Sequence, residues 1–411
     1  MTAQGQQLQQ TAMRSMVTSS TSKPWHVFLV FLRLGLTSFG GPVAHLGYFR
    51  EEFVVRKKWL SEQSYADIVA LCQFLPGPAS SQVGLAIGIL RAGYRGAFAA
   101  WAGFTLPSAL ALTFFAISLA NLDQAFLPGV LQGLKIVAVA VVAQAVWGMA
   151  KNLCPDALRA TLMAMCACFV LLAPYVWIQV GVIVAAGVAG LFLFKPQGEI
   201  GREALPFGIS RQGGLMWLSL FFVGLVVLPF LVRVLPSQSL ALFDAFYRAG
   251  SLVFGGGHVV LPLLQAEVVP PGWVDNNTFL AGYGAAQAVP GPLFTFASFL
   301  GASMHSASNG WLGSSICLLA IFAPSFLLVA GALPFWEEWR HNGRMQAALT
   351  GINAAVVGIL LSALYHPVWT SAIHAPRDFA LALLAFTALV FWKAPPWLVV
   401  LVCGLGGWLF F

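Results

Sequence analysis

The sequence predicts an all-α polytopic membrane protein, built as an inverted-topology repeat with broken, re-entrant helices. Composition comes first: hydrophobic residues make up 59% of the chain, charged residues 9%, and the mean hydropathy is +0.82. A soluble domain carries roughly 25% charged residues. The second observation is a series of long apolar runs from residue 25 to residue 411. The third is a pattern that occurs twice inside those runs, as Gln73-Phe74-Leu75-Pro76-Gly77-Pro78 and as Gln287-Ala288-Val289-Pro290-Gly291-Pro292. Proline removes a backbone donor and clashes with the preceding turn, so each pattern breaks a helix. Broken backbone at membrane depth survives only against protein or a water-filled cavity. Interruptions at corresponding places in two halves point to a transporter's binding site.

Residues 1–24 form a polar tail rich in Gln, Thr and Ser, without the apolar core of a cleavable signal. Arg14 and Lys23 precede the first apolar run, so the N-terminus is expected in the cytoplasm and the protein in a bacterial inner membrane. Apolar runs then span 25–49, 64–90, 95–119, 126–150, 158–174, 176–194, 213–235, 240–264, 278–304, 311–334, 345–365, 378–392 and 396–411. Most match the roughly 20 residues of a spanning helix, and none shows β-barrel alternation. The last two are short enough to be one tight hairpin. The net charge of +7 lies mostly in loops, where the positive-inside rule puts it, and does not call for nucleic acid. The six cysteines form no metal-type pair and read as apolar fillers.

The chain is duplicated. Arg33 through Phe39-Gly40-Gly41 echoes Arg248 through Phe254-Gly255-Gly256, 215 positions on (248 − 33). Trp59 matches Trp273, and Pro107-Ser108 matches Pro324-Ser325. Gly133-Leu134-Lys135 matches Gly351-Ile352-Asn353. The organisation is a tail (1–24), a first repeat (25–195), a linker with an extra transmembrane helix (196–239) and a second repeat (240–411). Seven runs separate the start of one repeat from the start of the other, and an odd number inverts the second. Loop charge agrees: loop 50–63 carries Arg50, Arg56, Lys57 and Lys58, whereas loop 265–277 has Glu267 and Asp275 and no Lys or Arg. If runs 25–49 and 64–90 are re-entrant, the tail, loop 50–63 and loop 91–95 (Arg91, Arg95) all fall on one side. Thirteen full spans remain the alternative.

The breaks are the first candidate site. Helix N-termini carry partial positive charge and bind anions. Gly40, Gly41 and Pro42 can start one helix, and Pro78, with Ser80, can start another after Pro76 and Gly77. Gly255, Gly256, Pro290, Gly291 and Pro292 hold the matching places, and Gln73 and Gln287 are expected to line the site. Ionisable groups at membrane depth come next, being functional by default. Arg33 and Arg248 precede the two Gly-Gly breaks, and His45 and His258 flank them. Lys135 and Asn353 are equivalent, which makes an asymmetric site with a net positive charge. Asp67 and Asp244 are candidates for proton coupling or for holding Arg33 and Arg248. The bland readings are helix-easing kinks, neutral packed histidines and structural ion pairs. No phosphate-cradling Gly-rich loop with Lys-Ser/Thr occurs, and no His-Glu-x-x-His, so no enzyme, cofactor or resident metal is expected.

Phe39-Gly40-Gly41-Pro42 followed by Gln73 to Pro78, echoed by Phe254 to Gly257 and Gln287 to Pro292, resembles the chromate transporter family in its long two-domain form. The likeness covers nearly the whole chain and departs from itself where Gly257 replaces Pro42 and Ala288-Val289 replaces Phe74-Leu75. It implies a secondary transporter exporting chromate from the cytoplasm and conferring resistance, with sulfate as a second substrate and an inverted duplicate as its frame. The alternatives are a sulfate or other small-anion transporter, and a non-transporting membrane scaffold or intramembrane enzyme. Lipid is the surrounding partner, and a homo-oligomer is left open.

Overall fold

The computed structural model describes residues 23–120, 127–173, 176–194, 209–305, 309–340 and 342–410. Most of the polar tail and of the linker loop lies outside these residues. The described residues are helical, without strands. Five helices are long and apolar enough to cross a membrane by length and composition: Ala79–Leu119, Pro128–Leu153, Arg211–Val234, Gly310–Trp339 and Gly343–Ala372.

The first repeat opens with α1 (Pro24–Thr37), the break at Gly40-Gly41, and α2 (Gly41–Arg50), which runs into a π-helical turn, Glu51–Arg56. Next come α3 (Glu62–Phe74), the Pro-Gly-Pro break, and α4 (Ala79–Ala120). Backbone angles leave the helical region inside α4 at Ala92 and Gly93. The chain reverses there: a Cβ on Gly88 would lie 2.4 Å from the carbonyl oxygen of Gly96, and one on Gly96 2.2 Å from that of Gly88. Only an antiparallel pair of arms, 79–91 and 94–120, brings these two glycines together. With 13 residues, α3 is about 20 Å long, short of the roughly 30 Å hydrocarbon core.

Trp59 shows where these short helices end. The Arg91 guanidinium carbon lies 4.8 Å from the Trp59 ring centroid, and the His26 and Trp59 ring centroids are 5.9 Å apart. The start of α1, the loop before α3 and the turn after the first arm of α4 therefore meet at one end of the molecule. Each of the two broken segments returns to the end it started from. In the second repeat the Trp273 carbonyl accepts from the His305 amide at 2.9 Å, so that hairpin also closes on itself.

The remaining long elements are α5 (Leu127–Leu153), α6 (Ala157–Leu172), α7 (Val176–Leu193) and the largely exposed α8 (Arg211–Val234). The second repeat runs α9 (Gln238–Ser251), α10 (Val260–Val268), α11 (Asn276–Ala286), α12 (Phe296–Ala302) and α13 (Gly310–Ala332). Short α14 (Trp336–Trp339), α15 (Gly343–Ala363), short α16 (Thr370–Ala372), α17 (Pro376–Val390) and α18 (Pro396–Phe410) complete it. The long arm of α4 packs on α13 in antiparallel fashion. The Tyr94 and Phe326 ring centroids are 6.4 Å apart at one end, and Thr113 Oγ1 lies 2.6 Å from Ser314 Oγ at the other.

The repeats are interlaced rather than side by side. A Cβ on Gly133 of α5 would meet the Cys403 carbonyl of α18 at 2.1 Å, and one on Gly351 of α15 would meet the Ala186 carbonyl of α7 at 2.0 Å. Each repeat's central helix thus packs, backbone to backbone, on the last helix of the other. Glycine permits that approach in a membrane helix, where burying apolar surface gives little drive for association. The Gly-Leu-Lys and Gly-Ile-Asn echoes of the sequence are, in their first residue, these packing contacts.

Candidate functional site

The two kinds of break meet at the centre, each with the opposite kind from the other repeat. The Gly77 amide donates to the Val253 carbonyl at 2.6 Å, and the Gly291 amide donates to the Ser38 carbonyl at 2.9 Å. Val253 and Ser38 stand just before the two Gly-Gly breaks, so the bonds are reciprocal. Both donors have positive φ, +126° at Gly77 and +97° at Gly291, which a residue with a Cβ avoids. The Pro-Ser repeats complete the joint. A Cβ on Gly77 would lie 2.6 Å from Ser325 Oγ, and one on Gly291 2.9 Å from Ser108 Oγ.

This geometry corrects one expectation. In this structure the amides of Gly77 and Gly291, which the sequence assigns to ligand oxygens, are bonded to carbonyls of the opposite repeat and hold the two repeats together. Pro76, Pro78, Pro290 and Pro292 flank that joint and are not among the residues that wall the central cavity.

The cavity has a volume of about 70 Å³. Its polar wall is Gly40, Gly41, Gln144, His258, Gln287 and Gly291. A water occupies about 30 Å³ in the liquid, so the space suits a small ion or a few waters. Gly40 and Gly41, at φ of +99° and +79°, open α2 with Pro42 in its first turn. The positive end of that helix therefore lies at the cavity. His258 Nδ1 is 2.7 Å from Tyr283 Oη, while Nε2 is 3.9 Å from the place of a Cβ on Gly41. Gln287 Nε2 is buried and without a partner among the described residues. A buried amide in that state calls for a water or a ligand. The cavity wall includes no carboxylate.

Other expected residues fall elsewhere. Arg33 is exposed and does not hold Asp67, contrary to one expectation; Asp67 pairs with Arg340 at 2.9 Å, both largely buried. Arg340 also pairs with Glu337. Arg248 is held by Asp244 at 3.0 Å and by both oxygens of Glu267 at 2.9 and 3.0 Å, as one reading of Asp244 expects, so its charge is spent. Gln73 is exposed, unlike Gln287. Lys135 is not in the cavity wall: its ammonium donates to Asn277 Oδ1 at 3.1 Å and to the Ser371 carbonyl at 3.3 Å. Asn353 Oδ1 lies 3.4 Å from the place of a Cβ on Gly255, beside the second Gly-Gly break. That break is covered by Met149, whose Sδ is 3.4 Å from the corresponding position on Gly256. His45 is buried, with Nδ1 3.4 Å from Ser80 Oγ. Sequence reasoning misses Gln144, Tyr283 and Arg340. Gln144 is a lone amide in an apolar run and is visible as such, whereas nothing local to Arg340 signals its distant partner.

The sequence model of the family described as Chromate transporter matches residues 25–191 and again 240–408. A chromate transport protein of Pseudomonas aeruginosa is 27% identical over 410 residues, covering 94% of this chain and 92% of that one. One from Cupriavidus metallidurans is 26% identical over 368 residues, covering 86% and 84%. An uncharacterized transporter of Methanocaldococcus jannaschii is 28% identical over 345 residues, covering 82% of each. No solved structure matches the chain.

Proposed function

We propose a function from one premise: this chain belongs to the chromate transporter family, and it is a multi-pass membrane protein. It carries chromate out of the cytoplasm across the inner membrane and so confers resistance. The observation that carries the reading is the central cavity, walled by Gly40, Gly41, His258, Gln144 and Gln287, with a helix N-terminus and an unpartnered amide and with no acid. Such a set suits a small tetrahedral dianion, which accepts hydrogen bonds in every direction and donates none. An inside-negative potential favours outward movement by about 2.3 kcal/mol per charge per 100 mV.

The second repeat is an inverted copy of the first. Support comes from the antiparallel pairing of the long arm of α4 with α13 and from the reciprocal bonds at the joint. The end around Trp59 gathers Arg50, Arg56, Lys57, Lys58 and Arg91, which supports placing it, and the start of α1, in the cytoplasm. Everted vesicles carrying the protein will accumulate labelled chromate above vesicles without it, and excess sulfate will compete if sulfate shares the site. Equal accumulation in both kinds of vesicle refutes export.

A further inference from the structure

The Pro-Ser repeats have no part in the cavity, yet each serine touches the Pro-Gly-Pro glycine of the other repeat. Their hydroxyls differ. Ser108 Oγ donates to the Thr105 carbonyl at 3.0 Å. Ser325 Oγ is fully buried and has no partner among the described residues. It is not isolated in this. Ser81 Oγ, in the first turn of the helix that follows Gly77, is also buried without a partner among the described residues. Both serines sit on the segments that meet at the joint. Gln82 Nε2 donates to the Pro76 carbonyl at 2.7 Å, and a Cβ on Gly77 would lie 2.6 Å from that nitrogen and from Ser325 Oγ alike.

A buried hydroxyl left unpaired destabilises the fold. Native proteins hold few such groups, and a buried hydroxyl in that state beside a helix start calls for a ligand or water. The first turn of the α4 arm 79–91 adds amides that a helix start leaves unpaired, together with its partial positive charge. We infer that Gly77, Ser325, Ser81 and the first turn of α4 form a second oxyanion subsite, occluded at the joint. It takes a tetrahedral dianion through uncharged donors, and it opens when the Val253 carbonyl leaves the Gly77 amide. The inference rests on the transport reading above and deepens it, by adding a second place where the transported oxyanion is held.

The test compares the full-length protein with Ser325→Ala, measuring thermal unfolding with and without sodium sulfate and chromate flux in proteoliposomes. A merely structural hydroxyl and a ligand hydroxyl give different results. In both cases Ser325→Ala unfolds at the same or a higher temperature than the wild type without sulfate, because an unpaired buried hydroxyl has been removed. In the ligand case alone, the sulfate-induced rise shrinks and the KM for chromate rises about tenfold. An unchanged KM with an unchanged sulfate response overturns the subsite. If Ser325→Ala does not fold, Ser81→Ala takes its place, and the same two measurements support or overturn the subsite in the same way. A wild-type protein with neither flux nor a sulfate response overturns the transport reading, and the subsite with it. Wild-type flux unaffected by either variant overturns the subsite alone.

Discussion

Two Gly-Gly breaks with related sequences and positive-φ glycines have different surroundings in this molecule. Gly40 and Gly41 face the central cavity. Gly255 and Gly256 lie under the side chains of Met149 and Leu153, with Asn353 alongside. The charged residues in front of them diverge too. Arg33 is exposed, while its equivalent Arg248 is locked between Asp244 and Glu267. Glu52 and Glu267 occupy matching positions, yet Glu52 pairs with Lys57 at 3.6 Å within its own repeat segment. Duplication therefore preserved the backbone device and left its use to the side chains that the fold delivers around it.

The comparison can be broken at several points. The largest effect is expected at Asp67–Arg340, which ties α3 of the first repeat to the segment after α14 of the second. Removing one partner of a buried pair costs about 3–5 kcal/mol, so Asp67→Ala will lower the unfolding temperature in detergent sharply. An unchanged midpoint would show that the pair does not join the repeats. Next is Gly77→Ala, where positive φ and a 2.6 Å approach to Ser325 Oγ and Gln82 Nε2 act together. A loss of about 3 kcal/mol is expected from strain and overpacking. Gly291→Ala should lose less, because its closest neighbour, Ser108 Oγ, is at 2.9 Å. The reverse order would mean that the two joints are not built as described.

Smaller effects sharpen the contrast between equivalent residues. Gln287→Ala should raise the KM for chromate about tenfold, since a hydrogen bond to a charged group contributes about 1.5–3 kcal/mol. Gln73→Ala, on an exposed position, should leave it unchanged; equal effects from both would argue for two equivalent sites. The smallest difference is expected at Arg33→Ala, within about 0.5 kcal/mol of wild type as for other exposed positions. Arg248→Ala, by contrast, strands two carboxylates and should cost several times more. Matched unfolding midpoints for this pair would contradict the ion triad.

Much of the frame was legible in the chain. The Pro-Gly-Pro and Gly-Gly breaks are helix interruptions where the sequence expects them, because proline and glycine act on their own backbone. Short helices that turn back on themselves are expected from the basic residues 50–58 and 91–95, and Trp59 lies beside both segments. The cavity was half legible: Gly40, Gly41, His258, Gln287 and Gly291 line it, while Gln73, Arg33, Arg248 and Lys135 do not. A literal reading of the repeat assigns equivalent residues equivalent roles. Their neighbours come from other parts of the chain and are not duplicated in kind.

By itself the sequence determined a membrane-embedded, all-helical duplicate whose helices break at two pairs of glycine-rich points. Those properties follow from hydropathy and from backbone restrictions that need no distant partner. Tertiary structure alone decided that the Gly77 and Gly291 amides bind carbonyls of the opposite repeat, that Asp67 meets Arg340, and that Met149 covers one break while the other opens on a cavity. Each depends on which far-off carbonyl, charge or side chain is brought within about 3–4 Å, where hydrogen bonds and van der Waals contacts act.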